Sequence, residues 1–138
     1  MIFLDSWVWL EYLLSGDRAD RAQSLIAQVA AGDERGLIAP TVVTEVGYRV
    51  RAVADGPTAE ATLRAIQDIE DLECLPLVWS VAEYAARLRD KYYEPGTREF
   101  SYADAIHLAT AAVYDDCTAL YSGDPDFEDV EEIETIVL

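Results

Sequence analysis

The chain has 138 residues, 51% of them hydrophobic, and a formal net charge of −17 at pH 7. This length is typical of one domain with a single core, and no run approaches the roughly 20 apolar residues of a membrane span. So large a negative charge is unusual for a protein that contacts nucleic acid and argues against a broad basic binding surface.

Strand and helix patterns alternate through the first half of the chain. Apolar runs too short for a helix predict strands, and apolar stripes spaced three and four residues apart predict helices. Capping residues and chain breakers indicate where the helices begin and end. In order, the predicted elements are a strand at 2–5, a helix capped by Ser6 and ended by Ser15-Gly16, a helix opened by Asp17 and closed near Gly32, a strand at 36–39, a helix from Pro40 to about Ala54, and a helix from Pro57 to about Leu72.

The second half continues the alternation. A strand is predicted at 74–78, where Pro76 indicates an edge position or an irregularity because proline cannot donate a ladder hydrogen bond. The remaining elements, in order, are a helix capped by Ser80 and running to about Tyr92, a loop at 93–100, a helix capped by Ser101, a strand at 118–121, a turn or short helix at 125–128, and a strand at 134–137. Strands alternating with helices predict one α/β domain, residues 1–138, whose parallel sheet is covered on both faces.

The N-terminus and the cysteines both favour an ordinary cytosolic domain. The opening MIFLDSWVWLEYLLSGD lacks a basic leader, and Asp5 and Glu11 interrupt its apolar run, so we expect folded structure rather than a signal peptide. Cys74 and Cys117 have no metal-ligand spacing, and reduced thiols in the cytoplasm are expected.

Four acids, Asp5, Glu45, Asp104 and Asp124, stand where a predicted strand ends or a helix begins. Because the carboxyl ends of parallel strands lie at one edge of a sheet, these acids are expected to share a pocket. Gathered carboxylates raise one another's pKa unless a cation holds them together. Hard divalent cations such as Mg²⁺ and Mn²⁺ prefer oxygen ligands. The pattern therefore predicts a metal-dependent phosphodiesterase.

Each of these residues also has an ordinary structural explanation. Asp5 alone would cap the helix that follows it, and Glu45 alone would lie on a solvated helix face. Turn chemistry around Pro125 would account for Asp124 or Asp126. Asp104 alone would have a purely structural role in its apolar helix. His107, one helical turn after Asp104, is interpreted as a packed histidine in the wall of the pocket rather than a base or ligand. Only the combination of acids favours a shared site.

With these residues in view, the chain resembles the PIN-domain ribonucleases, most closely the VapC-type toxins of VapBC toxin–antitoxin pairs. The resemblance extends from residue 2 to residue 137. The matching residues are the opening strand with Asp5-Ser6, the Thr44-Glu45 helix, the run DAIHLATA from Asp104 to Ala111, and the run SGDPDF from Ser122 to Phe127. The chain departs from the family at Gly123 and Pro125, where a basic residue is often found, and at Ser122, where threonine is usual.

The resemblance implies a fold and a reaction. The fold is a three-layer α/β/α sandwich with a central, mainly parallel sheet of about five strands. The reaction is Mg²⁺- or Mn²⁺-dependent hydrolysis of RNA phosphodiester bonds by metal-activated water. The four acids named above would hold one or two ions and act as the catalytic residues. Ser6 and Ser122 would orient those carboxylates, and Asp126 would orient its loop.

The resemblance also implies partners. A cognate antitoxin would bind the apolar first helix, whose Trp7 and Trp9 have core packing as the alternative, and the toxin would form a homodimer. Candidate RNA contacts are Arg98, Arg87 and Lys91, and surface pairing with Glu83 or Asp90 is the alternative for the last two. The aromatic residues Tyr92, Tyr93 and Phe100 are candidates for stacking on bases, with core or loop packing as the alternative. A PIN nuclease of RNA processing without an antitoxin, and a catalytically silent partner-binding domain, remain the alternatives.

The charge is concentrated at the C-terminal end of the chain. Residues 1–98 contain all ten lysines and arginines with sixteen acids, whereas residues 99–138 contain eleven acids and no lysine or arginine. Lys91 is the only lysine. An acidic, lysine-poor surface of the halophilic kind suits a cytosol of high salt, where screening weakens self-repulsion.

Overall fold

Five short parallel strands form the central sheet of the computed structural model, which describes all 138 residues. The strands are β1 (Ile2–Leu4), β2 (Gly36–Ile38), β3 (Leu72–Cys74), β4 (Ala119–Ser122) and β5 (Glu134–Val137). Their order across the sheet is β3-β2-β1-β4-β5, and every neighbouring pair is parallel. Every residue of β1 and β2 is buried, which requires cover on both faces because successive side chains point to opposite faces. The predicted α/β/α sandwich is confirmed.

Six α-helices and one short 3₁₀ helix connect the strands. They are α1 (Ser6–Leu13), α2 (Ala19–Ala30), α3 (Pro40–Val53), α4 (Gly56–Gln67), α5 (Trp79–Tyr92), α6 (Tyr102–Val113) and the 3₁₀ helix at Pro125–Phe127. Pro40 occupies the first turn of α3, and Ser101 caps α6, both as predicted. None of these helices combines the length and the hydropathy needed to cross a membrane.

The third strand lies earlier than predicted. Leu72–Cys74 pairs with β2, so the predicted segment 74–78 overlaps the strand only at Cys74. The Leu75 amide still donates to the Ile38 carbonyl, after which β2 ends and Pro76 has no N–H to offer. The edge position that Pro76 indicated is correct, because β3 is an outer strand.

Several helix starts also differ from the predictions. Asp5, rather than Ser6, caps α1, because its carboxylate accepts a hydrogen bond from the Trp7 amide. Arg18 rather than Asp17 precedes α2, and Val78 rather than Ser80 precedes α5. The first of these matters for function, since it places the Asp5 side chain at the carboxyl edge of the central strand.

An aromatic cluster fixes the segments that lead to the carboxyl edge. Phe100 packs edge-on against Tyr92, with ring centroids 5.7 Å apart, and against Phe127 at 5.6 Å. Phe100 and Phe127 are completely buried. The cluster therefore anchors both the start of α6 and the 3₁₀ helix to the core.

Candidate active site

Asp5 is the most enclosed of the four acids. It follows β1, is 3% exposed, and is hydrogen bonded through both carboxylate oxygens. Oδ2 accepts from the Ser122 hydroxyl at 2.8 Å and from the Trp7 amide at 3.3 Å. Oδ1 lies 2.7 Å from Nδ1 of His107. Burial on its own raises the pKa of Asp5, but the hydrogen bond and charge of His107, with the other two donors, outweigh it and leave that pKa lowered.

Asp104 is held by the start of α6. Its Oδ2 accepts from the Ser101 amide at 2.8 Å, and its own amide donates to the Ser101 hydroxyl at 3.0 Å, forming a capping box. The carboxylate is only half-buried. Burial raises the pKa of Asp104 to about 6, with smaller contributions from the charges of Asp5 and Asp124 and partial relief from Ser101. Asp104 is thus held in place but remains electrostatically unfavourable.

Ser122 connects Asp124 to Asp5. The Ser122 hydroxyl is completely buried, donates to Asp5 and accepts from the Asp124 amide at 3.0 Å. Asp124 then caps the 3₁₀ helix, because its Oδ1 accepts from the Asp126 amide at 2.9 Å. Asp126 therefore contributes its backbone to the loop, and burial followed by the charge of Asp124 raises the pKa of its side chain.

Glu45 reaches the same region from α3. Its side chain is 40% exposed, but Oε1 is buried, has no hydrogen-bond partner, and lies 3.5 Å from Nε2 of His107. Burial raises the pKa of Glu45, the charge of His107 lowers it, and the charge of Asp5 raises it. A weaker interaction with the Ser6 side chain lowers it further.

His107 is the residue that sequence reasoning undervalued. It is completely buried on α6, between Asp5 and Glu45, with the Phe3 ring centroid 5.5 Å from its own. Its placement in the wall of the site is as interpreted from the sequence, but its contacts with two of the four acids were not anticipated. The available signal was that the only histidine follows Asp104 by one helical turn.

The geometry and the donor chemistry fit a hard divalent cation. Asp5, Asp104 and His107 each offer a ligand atom within 4.8 Å of the others. Glu45 lies beside this group, with Oε1 3.5 Å from Nε2 of His107. Asp124 is connected to it by the hydrogen bond from its amide to the Ser122 hydroxyl. No lysine or arginine forms an ion pair with any of the four acids, and Oε1 of Glu45 has no hydrogen-bond partner. Clustered carboxylates without a lysine or arginine partner suit Mg²⁺ or Mn²⁺.

The three basic residues selected from the sequence are engaged within the chain. Arg98 donates to the carbonyl of Asp126 at 2.8 Å and to that of Glu128. Arg87 forms an ion pair with Glu83, the surface pairing weighed as its alternative. Lys91 binds two acids of the C-terminal segment, Glu131 and Glu132, at 2.8 Å each.

The aromatic residues available to a ligand differ from those expected. Tyr92 and Phe100 are buried, at 8% and 0% exposure, so the hypothesis that they stack on bases is wrong. Tyr102, two residues before Asp104, is instead 74% exposed. Its ring lies 4.2 Å from the Arg89 guanidinium, which is also 4.3 Å from the Tyr93 ring and forms no ion pair. These three side chains line an open cavity of about 410 Å³ between α5 and α6.

The first helix contributes to the core and to the loop of Asp124. Trp9 is 2% exposed, which agrees with the core-packing alternative. The half-buried Trp7 lies directly against Gly123, where a Cβ atom would overlap the indole ring. This contact explains why a basic residue is absent at position 123, because any side chain there would displace Trp7.

Comparisons with known proteins agree with this architecture. The family model described as PIN domain matches residues 2–133. The structure of VapC20 from Mycobacterium tuberculosis, a sarcin-ricin-loop-cleaving toxin, is similar with a TM-score of 0.74 and 21% identity, covering 97% of this chain and 99% of that one. A toxin–antitoxin complex from Klebsiella pneumoniae is similar with a TM-score of 0.67 and 19% identity, covering 96% of this chain and 95% of that one.

A third similar structure is VapBC2 from Rickettsia felis bound to a promoter DNA fragment, with a TM-score of 0.69, 16% identity, and coverage of 99% and 98%. At these identities the three structures establish the fold alone. No curated protein matches the sequence significantly.

Proposed function

The chain belongs to the PIN domain family, and from this premise we propose that it is a metal-dependent endoribonuclease acting as the toxin of a toxin–antitoxin pair. One observation carries the catalytic part of the proposal. Asp5 and Asp104 lie together at the carboxyl edge of the sheet, flanked by Glu45 and Asp124, with no lysine or arginine to neutralise them. Such a cluster favours a cation-assisted reaction on a phosphodiester.

We assign Asp5, Glu45, Asp104 and Asp124 as the residues that hold one or two Mg²⁺ or Mn²⁺ ions. When bound, the ion supplies Lewis-acid chemistry: it lowers the pKa of water and stabilises charge on the phosphate oxygens. Asp5 is the most rigidly held of the four acids, since both of its carboxylate oxygens are already oriented by hydrogen bonds. Asp104 and Glu45 have raised pKa values, so a cation relieves the electrostatic penalty of ionising them.

The supporting residues act through these acids. Ser122 orients Asp5 and the Asp124 loop at the same time, and Asp126 caps that loop with its amide. Ser6 lies close enough to Glu45 to lower its pKa. Groups that orient metal ligands in this way typically change metal affinity when they are removed.

RNA contacts are proposed around the entrance of the site. Arg98 borders the Asp124 loop, and Arg87 and Lys91 would have to leave their own acid partners to bind phosphate. Arg89 has no acid partner, and its Nε donates to the Phe100 carbonyl at 3.1 Å, so it would not have to leave an acid to bind phosphate. With the exposed Tyr102 ring it offers a cation and an aromatic face, the combination on which unpaired bases stack.

The toxin assignment draws on the named similarities. Two of the similar structures are described as a toxin–antitoxin complex and as VapBC2, and the third as a toxin that cleaves the sarcin-ricin loop. We propose that this chain likewise cleaves RNA in the cytoplasm as a homodimer and is neutralised by a cognate antitoxin.

Cleavage of total RNA by the purified protein without its partner tests the nuclease assignment. Mn²⁺ or Mg²⁺ should produce discrete fragments at low or high salt, and EDTA or Asp104→Asn should abolish them. Light scattering on the same sample reports the proposed dimer. Failure to cleave a broad RNA pool at any salt concentration, by a protein that binds Mn²⁺, would favour a silent binding domain.

A second experiment separates a toxin from a processing enzyme. Expression of the wild-type chain should arrest growth, and Asp104→Asn should not. A short open reading frame beside its gene, when co-expressed, should restore growth and co-purify with the chain. Growth unaffected by an active nuclease would instead indicate an RNA-processing role.

A further inference from the structure

We propose that His107 is a positioning residue: its imidazole bridges Asp5 and Glu45 and fixes these two carboxylates relative to Asp104 for cation binding. The inference rests on the proposed metal-dependent function and adds a residue to it. The bridge joins three separate parts of the chain, namely the end of β1, helix α3 and helix α6.

The contact with Asp5 is a short, buried hydrogen bond. Nδ1 of His107 lies 2.7 Å from Oδ1 of Asp5, and neither residue is more than 3% exposed. The other oxygen of Asp5 already accepts from Ser122 and from the Trp7 amide. Because hydrogen bonds reach both oxygens from different elements, the carboxylate is prevented from rotating. His107 supplies the only restraint on Oδ1.

The contact with Glu45 leaves two buried atoms facing each other. Nε2 of His107 and Oε1 of Glu45 are 3.5 Å apart, and neither has another hydrogen-bond partner. Unpaired buried polar atoms are costly, so a shared proton between them is the arrangement that satisfies both. It does so whichever of the two atoms carries the proton. The partly exposed Glu45 side chain can shift by the few tenths of an ångström that a normal hydrogen bond needs.

The imidazole itself is well anchored. His107 is completely buried, lies beside the Phe3 ring, and is followed on α6 by a run of buried residues. Asp104 is on the same helix, one turn earlier, so the imidazole and the Asp104 carboxylate move together. The arrangement therefore transmits the position of α6 directly to Asp5 and Glu45.

Both ring nitrogens face a carboxylate of the site, which favours this role over direct ligation. A histidine that ligates a cation must present one nitrogen with a free lone pair. Here Nδ1 faces Asp5 and Nε2 faces Glu45. His107 thus acts through the carboxylates that it holds.

Three substitutions of His107 separate its contact with Asp5 from its contact with Glu45. His107→Asn places an amide N–H near the position of Nδ1 and retains the Asp5 contact. His107→Gln reaches toward Glu45 and loses the Asp5 contact, and His107→Leu removes both. Mn²⁺ affinity, measured by calorimetry and electron paramagnetic resonance without RNA, should fall about 10–100-fold in the Leu variant. The Asn variant should recover most of that loss, and the Gln variant less.

Thr110→Val is the matched control for a purely structural effect. Thr110 is 3% exposed on the same helix, one turn after His107, and its hydroxyl donates only to the Ile106 carbonyl. This variant should lower the midpoint of thermal unfolding while leaving Mn²⁺ affinity at the wild-type value. A folded His107→Leu protein with wild-type Mn²⁺ affinity would overturn the proposal.

Nuclear magnetic resonance of the metal-free protein tests the bridge separately from the metal. His107 is the only histidine, so its ¹⁵N ring signals need no further assignment. We expect a slowly exchanging N–H at Nδ1 that disappears in Asp5→Ala, which removes the acceptor, and a Nε2 shift that changes in Glu45→Gln. An Nδ1 without a bound proton, or a Nε2 unaffected by Glu45→Gln, would refute the bridge. Wild-type protein that shows these signals but binds no Mn²⁺ would refute the metal-dependent function instead.

Discussion

Asp5 and Asp104 lie in one cluster but are held in opposite ways. Asp5 is enclosed, with three hydrogen-bond donors that leave its pKa lowered. Asp104 is half-buried, with Ser101 alone to stabilise it, and its pKa is raised to about 6. One carboxylate is satisfied by the protein itself. The other remains unfavourable until something outside the chain neutralises it.

The difference suits the proposed cation site, which needs both rigidity and carboxylates that the protein leaves unneutralised. If all four acids were satisfied as Asp5 is, little would be gained by binding a metal. If none were, their mutual repulsion would destabilise the fold. The fixed side is built around β1, His107 and Ser122, and the open side around Asp104 and Glu45.

The largest expected effects come from two isosteric substitutions, one on each side of this comparison. Asp104→Asn and Asp5→Asn should both abolish metal-dependent RNA cleavage, because each removes a charged ligand. Their stabilities should diverge. Asp104→Asn should leave the unfolding midpoint unchanged or raise it, since repulsion is relieved. Asp5→Asn should lower the free energy of unfolding by about 3 kcal/mol, because it replaces a buried carboxylate that is hydrogen bonded to His107.

Urea unfolding in EDTA measures both variants without interference from bound metal. Ser24→Ala is a suitable control, because its hydroxyl bonds only the Asp20 carbonyl on the exposed surface of α2. Equal destabilisation by the two aspartate substitutions would remove the proposed contrast, and normal cleavage by Asp104→Asn would remove Asp104 from the mechanism.

A second prediction uses pH on the metal-free protein. The pKa of Asp104 is raised from 3.8 to about 6, so the folded state binds its proton more tightly than the unfolded state does. Ionisation of Asp104 therefore costs stability as pH rises from about 4 to above 6. The unfolding midpoint of Asp104→Asn should match that of the wild type near pH 4 and exceed it by pH 7.

The comparison of variants removes the pH dependence that both proteins share, apart from the small contribution of Asp104 to the raised pKa of His107. Asp5, whose pKa is lowered, contributes stability that is lost only as pH falls below its ordinary value of 3.8. His107, whose pKa is raised, contributes stability below 6.5 that is lost as pH rises through its folded pKa. Both groups are present in both proteins. A difference that shrinks with rising pH would have the wrong sign for this account.

The features that could be predicted from the sequence are mostly local. Pro40 at the start of α3 and the Ser101 cap of α6 follow from the chemistry of adjacent residues. The third strand was predicted at 74–78 rather than at Leu72–Cys74 because pairing with β2, which is not local, decides its register. The His107 contact with Asp5 spans 102 positions in the chain, and neither its existence nor its distance is encoded in local spacing. The burial of Tyr92 and Phe100 and the exposure of Tyr102 also depend on tertiary packing, so the sequence does not distinguish these three aromatic residues.

A third prediction, with a smaller expected effect, concerns how RNA approaches the site. Tyr102 is at the start of α6, two residues before Asp104, and its exposed ring lies 4.2 Å from the Arg89 guanidinium. Tyr102→Ala should reduce RNA cleavage about tenfold, which is the loss of one base-stacking contact, and should leave Mn²⁺ affinity unchanged. Tyr48→Ala is the control, because Tyr48 is similarly exposed, at 69%, on α3. Equal loss in both variants would argue against a specific RNA contact at Tyr102.

The smallest expected effect distinguishes surface acids from the acids of the site. With a net charge of −17, the folded chain repels itself, and salt should relieve this repulsion over the exposed surface. Raising NaCl from about 0.1 M to about 2 M should increase the unfolding midpoint of the metal-free protein by roughly 3–6 °C. The gap between wild type and Asp104→Asn at pH 7 should change little, because half-buried charges are screened much less than exposed ones. A gap that closes with salt would show that solvent screens Asp104 as fully as the surface acids, whereas full stability and activity without added salt would remove the halophilic interpretation of the charge.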